Sequence, residues 1–141
     1  MRLVTSLLYV SRMTLEPEEV AGGIAAIVEV ARSRNADLGI SGALVATDAH
    51  FAQILEGRRD AVFDVMASIE RDRRHTEVTV VWTEDREQAF FSDWSMAYAG
   101  TAEYVDKKIS PLLRGSLPEH ERQGVISELL LLIQCFVREE E

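Results

Sequence analysis

Cysteine is almost missing from this sequence: Cys135 stands alone among 141 residues. That count excludes an internal disulfide and a multi-cysteine metal site, and it is compatible with a reducing compartment. Basic charge is also short. Fifteen Lys and Arg face 24 Asp and Glu, for a formal charge of −9. A chain of that sign lacks the basic face that phosphate neutralisation on nucleic acid requires, and it is not drawn to an anionic membrane surface. Long apolar runs are lacking too. The most apolar run, Leu129 to Ile133, is bounded by Glu128 and Gln134, far short of the ~20 residues of a membrane span. The apolar stretch after Met1 is broken by Thr5 and Ser6 and is too short for a signal-peptide core. His50 and His120 lie far apart with no ligand cluster, so no metal site is expected. No repeat or low-complexity segment appears beyond the closing Glu139-Glu140-Glu141. The expectation is a soluble cytoplasmic protein.

What remains is ordinary globular material, 47% hydrophobic and 28% charged, in a chain long enough to bury a core unaided. Residues 3–11 read as a strand with Leu3, Thr5, Leu7, Tyr9 and Ser11 on one face and Val4, Ser6, Leu8 and Val10 on the other. Both faces are largely apolar, which suits a central strand. Thr14, Pro17 and the acidic residues around them look like a capped helix start. Ile24, Ile27, Val28 and Ala31 carry the helix on to about Asn35, with Gly39 beyond. Residues 39–47 and 51–56 form a hairpin around Asp48-Ala49-His50. A second helix shows Val62, Val65, Met66 and Ile69 on one stripe and closes on Asp72-Arg73-Arg74-His75. Val78, Val80 and Trp82 mark a fourth strand, and Phe90 to Tyr98 a fifth.

This order predicts an α+β fold: a ferredoxin-like βαββαβ sheet with an extra strand and both crossover helices on one face. The other face would be bare, so the C-terminal third is expected to cover it. Residues 102–113 read as a short helix that Ser110-Pro111 kinks or interrupts, ended by Gly115. Pro118 opens a longer helix. Val125, Leu129, Leu132 and Phe136 form one stripe on it, and Ile126, Leu130, Ile133 and Val137 the next. Such a wide apolar face either packs on the sheet, or dimerises, or does both. Cys135, set among these residues, reads as a small buried hydrophobe. The expected division is a sheet domain over 1–100 and a helical extension over 101–141.

Strand phase puts unusual side chains on the helix-covered face. Tyr9 lies on the first strand, Phe51 and Gln53 on the third, and Trp94 and Met96 on the fifth. A glutamine amid an apolar strand carries two donors and two acceptor lone pairs, all needing partners when buried. Tyr9 can satisfy one. A plain structural Tyr–Gln bond with a bound water is one reading of that pair.

The motifs carry a second reading. Tyr9-Val10-Ser11, Arg34-Asn35 with Gly39-Ile40-Ser41-Gly42, Phe51-Ala52-Gln53-Ile54-Leu55-Glu56-Gly57, Asp72-Arg73-Arg74-His75 and Trp94-Ser95-Met96 stand in the order of the BLUF family of flavin-binding blue-light sensors. Over about residues 3–98 the chain resembles that family. Ser41 replaces the usual Thr, and Arg34 stands where the family often has Asn or His. The resemblance implies a flavin, FAD with FMN as an alternative, between the two crossover helices. It assigns the photoactive switch to Tyr9, Gln53, Trp94 and Met96. Ile24, Ile27, Phe51 and Ile69 would wall the ring, Asn35 would meet its pyrimidine end, and Asp72, Arg74 and His75 would complete the site. It also implies that Tyr9 gives the excited flavin an electron and then a proton, and that Gln53 is left rearranged by rotation or tautomerisation. No substrate is converted. The C-terminal helices would carry the output. With no further domain after residue 141, the expectation is a short stand-alone sensor, a homo-oligomer that signals to a separate downstream protein.

Other classes on the same fold fit less well. An acylphosphatase-like enzyme could use Arg12 and Asn35, but Ser11–Glu16 holds no phosphate-cradling Gly. An RNA-binding module needs exposed aromatics and positive charge on its open face. A non-photoactive ferredoxin-like interaction module is the main alternative, and the retained Tyr9, Asn35 and Gln53 set argues against it.

Overall fold

Alternation along the central strands supplies a core to each face of one sheet. The computed structural model describes residues 3–91, 93–99 and 102–140, with backbone alone for 17, 95–99 and 138–140. The strands are β1 (Val4–Met13), β2 (Ser41–Ala46), β3 (His50–Gly57), β4 (His75–Arg86) and β5 (Trp94–Ala99). The helices are α1 (Val20–Leu38), α2 (Arg59–Glu70), α3 (Glu103–Arg114) and α4 (Glu119–Glu140). Sheet order is β4-β1-β3-β2-β5. The first four strands pair antiparallel, and β5 adds to the edge of β2 in parallel. This is the expected ferredoxin-like arrangement with its extra strand.

On one face Leu7, Tyr9, Leu44, Phe51, Leu55 and Trp94 pack against Ile24 and Ala31 of α1 and Val62, Val65, Met66 and Ile69 of α2. On the other face Leu8, Val10, Ala43, Val45 and Ile54 meet Val105, Ile109 and Leu112 of α3 and Ile126, Leu129, Ile133 and Phe136 of α4. The C-terminal helices therefore cover the second face, one of the arrangements that their wide apolar stripes allowed. Fully burying a side chain such as Leu129 contributes roughly 1.5–3 kcal/mol, which explains why α4 is docked and not free.

Several local expectations give way to the structure. Thr14 does not cap α1. Its hydroxyl donates to the Arg73 carbonyl instead, and a 3-10 turn over Pro17–Glu19 leads into the helix. α1 runs past Asn35 to Leu38, where Gly39 at φ 68° takes the left-handed position that ends it. α2 stops at Glu70, so Asp72 to Arg74 form a turn and His75 opens β4. Phe90 and Phe91 precede β5 and do not belong to it. Pro111 sits inside an unbroken α3. It falls in the last turn, and Gly115 supplies the stop, its N–H donating to the Pro111 carbonyl. Cys135 is exposed, not buried, because the buried positions of α4 are 126, 129, 133 and 136 and 135 points away from that line.

Gly42 is required by a close approach. Its φ is 140°, and any Cβ there would collide with the Ile54 carbonyl. The absence of a side chain lets β2 lie against β3 while its N–H reaches the Asp93 carbonyl at 3.2 Å, at the threshold of β5.

Candidate functional site

Register aligns the polar residues before any side chain is considered. Tyr9 pairs with Gln53, Gln53 with Leu44, and Leu44 with Met96. One row thus crosses β1, β3, β2 and β5. The Tyr9 hydroxyl donates to Gln53 Oε1 at 2.7 Å, with both residues about 3% exposed. That bond occupies the amide oxygen, and Gln53 Nε2 has no partner among the described residues. Burial holds the Tyr9 phenol well above its ordinary pKa of 10.0, because an ion there would lose its water. The Arg34 guanidinium pulls the other way and does not win.

A raised pKa fixes the sign of the alkaline response. The contribution of the neutral phenol to stability is complete below pH 10 and is lost as pH rises from there toward the folded-state value. A light response that depends on neutral Tyr9 should therefore keep its amplitude through pH 10. An absorption difference spectrum taken at stepped pH checks this; half the amplitude gone at pH 10 would contradict it.

Above this row lies a narrow, partly open cavity between α1 and the end of α2. Its floor is Tyr9, Leu44, Phe51 and Gln53. One wall is the α1 stripe Ile27, Val30, Ala31 and Arg34. The other is Ser68 and Ile69 at the end of α2, with Asp72, Arg74 and His75 beyond. An apolar slot between two helices, floored by the Gln53 amide, suits a flat heteroaromatic ring bearing carbonyl groups.

Tyr9, Ile27, Phe51, Gln53, Ile69, Asp72, Arg74 and His75 are brought together in this wall as expected. Their engagement differs. Arg74 is held in a fork by Asp72, with Nε 2.9 Å from Oδ1 and Nη2 2.6 Å from Oδ2. The fork holds the Asp72 carboxyl below its usual range and raises Arg74. Asp72 thereby favours the folded state above its unfolded pKa of 3.8, and this contribution is lost as pH falls through the depressed value. Both His75 nitrogens are already taken. Nε2 donates to the Ile69 carbonyl and Nδ1 meets the Ser11 hydroxyl, each at 2.8 Å. The ring stands edge-on to Tyr9 and Phe51, so His75 offers a ligand its ring, not a hydrogen bond.

Three expected residues sit elsewhere. Ile24 belongs to the core beside the cavity and also borders a shallow groove along α1. Asn35 and Trp94 line a neighbouring cleft at the C-terminal end of α1. Asn35 Nδ2 and Trp94 Nε1 are buried without a hydrogen-bond partner. An orphaned buried donor is costly, and two beside one site mark where acceptors are wanted. The side chain of Met96 lies outside the described residues.

The sequence reading undervalued Arg34, Leu44 and Glu56. Arg34 falls four residues after Val30 and seven after Ile27, so the α1 stripe could have placed it. Leu44 follows from hairpin register. Glu56 is fully buried. Its carboxyl accepts from Ser6 Oγ at 2.6 Å and from the Phe90 and Phe91 N–H groups at 3.0 Å each. It ties β3 to the segment entering β5. Nothing local in the sequence predicts that link.

Comparison with known proteins gives the chain a family. The family described as "BLUF: Sensors of blue-light using FAD" matches residues 4–97. The beta subunit of the photoactivated adenylate cyclase of Euglena longa is 35% identical over 97 residues, covering 68% of this chain and 11% of that protein. This chain thus spans about a tenth of the length of that relative. Among solved structures, the dark state of the BLUF protein BlrB superposes with a TM-score of 0.68 at 30% identity, covering 92% of this chain and 96% of that one. The photo-activated state of BlsA gives 0.70 at 25% identity, covering 90% and 94%. With this match over most of its length, the chain belongs to the BLUF family of flavin-binding blue-light sensors.

Proposed function

We propose that Tyr9 and Gln53 form the photoactive switch of this sensor, that Trp94 and Met96 pass its state to β5, and that α3 and α4 carry the output to a separate protein. The observation that supports this most directly is the 2.7 Å Tyr9–Gln53 bond on the floor of the cavity. Bound flavin supplies the absorption of blue light and a site that can take up one electron and one proton. Tyr9 holds the matching proton on its hydroxyl and keeps it in the dark, because burial disfavours the phenolate. Giving up an electron and that proton, and then taking both back, leaves Tyr9 unchanged. Gln53 is the part that need not return to its starting arrangement. Its amide can rotate or tautomerise while the Tyr9 hydroxyl is briefly no longer a donor. Ile27, Phe51 and Ile69 exclude water from these steps, and Asp72 holds Arg74 at the cavity wall.

The ring-binding cavity suits FAD, and the shorter FMN carries the same ring. The Euglena longa relative is named as a subunit of a photoactivated adenylate cyclase, so light is linked to an effector activity in that protein. A separate effector protein or a change in oligomeric state is the corresponding output here. No helix among the described residues is long and apolar enough to cross a membrane.

The test is an absorption spectrum of the purified protein, taken in the dark and after blue light. The expected result is a flavin spectrum with a small red shift that reverses in the dark. A bound flavin that does not respond would overturn the switch. No flavin after reconstitution with FAD would leave only an interaction module.

A further inference from the structure

The turn between β2 and β3 is fastened to a helix on the far face of the sheet. It is closed twice over: the Thr47 N–H donates to the His50 carbonyl, and the His50 N–H to Thr47 Oγ1, each at 2.9 Å. The Ala49 carbonyl accepts from the Met13 N–H at 2.8 Å, which straps the end of β1 to the turn. Asp106, in the first turn of α3, meets this unit. Its Oδ1 accepts from Thr47 Oγ1 at 2.5 Å and from His50 Nδ1 at 2.8 Å. A carboxylate can only accept, so the His50 ring carries a hydrogen on Nδ1. Thr47 and His50 are buried, and breaking either bond would leave a stranded polar group. Strand alternation gives the contact its meaning. His50 and Glu56 fall in phase with Ala52 and Ile54, on the face toward α3 and α4, whereas Gln53 faces the cavity. Gln53 stands three residues from His50 and three from Glu56. β3 therefore carries a polar anchor toward each end, Glu56 to the segment entering β5 and His50 to α3.

We propose that the His50–Asp106 contact is the joint through which a shift of β3 is handed to α3, and that Asp106 is the positioning residue of that joint. The joint lies apart from the route through Trp94 and Met96, and it rests on the reading that Gln53 rearranges and α3 responds. Coupling between two sites needs an element that both of them bias. β3 is such an element, since Gln53 and His50 lie on one strand. The apolar packing of Val105 and Ile109 on the sheet is non-directional. Two short hydrogen bonds to one carboxylate oxygen fix a distance and an angle, so α3 must follow the turn or lose them.

The experiment is hydrogen exchange by mass spectrometry on the full flavin-loaded chain, in the dark and under blue light. It compares the unmutated protein with Asp106→Ala and Asp106→Asn, and the absorption change is recorded on the same samples. Asp106→Ala should keep the flavin red shift, because position 106 stands outside the cavity wall. It should cut the light-induced exchange change over residues 103–114 to about a third, the size of effect a coupling residue carries. The light-induced change around Phe90 and Phe91 should stay, since Glu56 still ties that segment to β3. Asp106→Asn keeps an accepting oxygen and should retain most of the α3 response. If Asp106→Ala melts too low to measure, His50→Leu breaks the same joint from the sheet side and should show the same selective loss. A full-sized α3 response without the joint, or an equal loss around Phe90 and Phe91, would overturn the proposal. So would an α3 that exchanges in the dark as fast as it does in the light, which marks a merely structural contact. Failure of the underlying reading is distinguishable, since the unmutated protein would then show no red shift or no light-induced change in α3.

Discussion

Gln53→Leu should keep its flavin and lose the light-induced red shift almost entirely. Leucine fills much the same space on the cavity floor, so the apolar slot formed with Ile27, Leu44, Phe51 and Ile69 survives. Both polar ends vanish together. The Tyr9 hydroxyl loses its acceptor at 2.7 Å, and the cavity loses the Nε2 donor. With no side chain able to hold two hydrogen-bond arrangements, Tyr9 can still exchange an electron and a proton, yet nothing afterwards differs from the dark state. The cost in stability is that of one stranded buried hydroxyl, about 1–3 kcal/mol. A light-minus-dark spectrum below a tenth of the unmutated amplitude, with flavin absorbance retained, is the expected result. A normal photocycle in this variant would remove Gln53 from the mechanism.

The largest loss of stability is expected at Glu56, outside the cavity. Glu56→Leu strands the Ser6 hydroxyl and the Phe90 and Phe91 N–H groups. Each unsatisfied buried donor costs about 1–3 kcal/mol, so a total of ~3–5 kcal/mol is expected once some relaxation is allowed. That is a large share of the ~5–15 kcal/mol by which domains are stable. Urea unfolding should show the midpoint falling sharply. Hydrogen exchange at the Phe90 and Phe91 amides should speed up first, because these are the groups released. Glu56→Gln, which keeps an accepting oxygen, should fall between. A loss below 1 kcal/mol in Glu56→Leu would show that the segment before β5 is held by its aromatic packing alone.

The fold was legible wherever periodicity spoke. Two-residue alternation in β1 and β3 called for a sheet covered on both faces, and the wide stripes of α4, which allowed docking or dimerisation, offered a cover. Boundaries were less legible because competing partners decide them. Thr14 is a good helix cap in isolation, but the Arg73 carbonyl is within its reach across the fold. The Asp72 to His75 cluster looked like a charged helix end, yet Asp72 folds back on Arg74 and His75 enters the sheet. In the site, Tyr9 and Gln53 could be paired from strand phase alone. The engagement of His75 by Ser11 and Ile69 could not, since it joins residues 64 and 6 positions apart through a turn whose geometry the sequence does not declare. Glu56 escaped for a related reason: its partners lie 50, 34 and 35 positions away.

The two-faced sheet also limits how a message can cross it. Gln53 belongs to the core under α1 and α2, and its neighbour Ile54 to the core under α3 and α4. If β3 slid by one residue against β1, every such pair would trade places: an amide would enter the aliphatic core and an isoleucine would reach the cavity. Slippage by a whole register step is therefore closed to this strand. A change at Gln53 can reach the far helices only as a displacement smaller than one residue, a tilt or a change of twist that both cores absorb together.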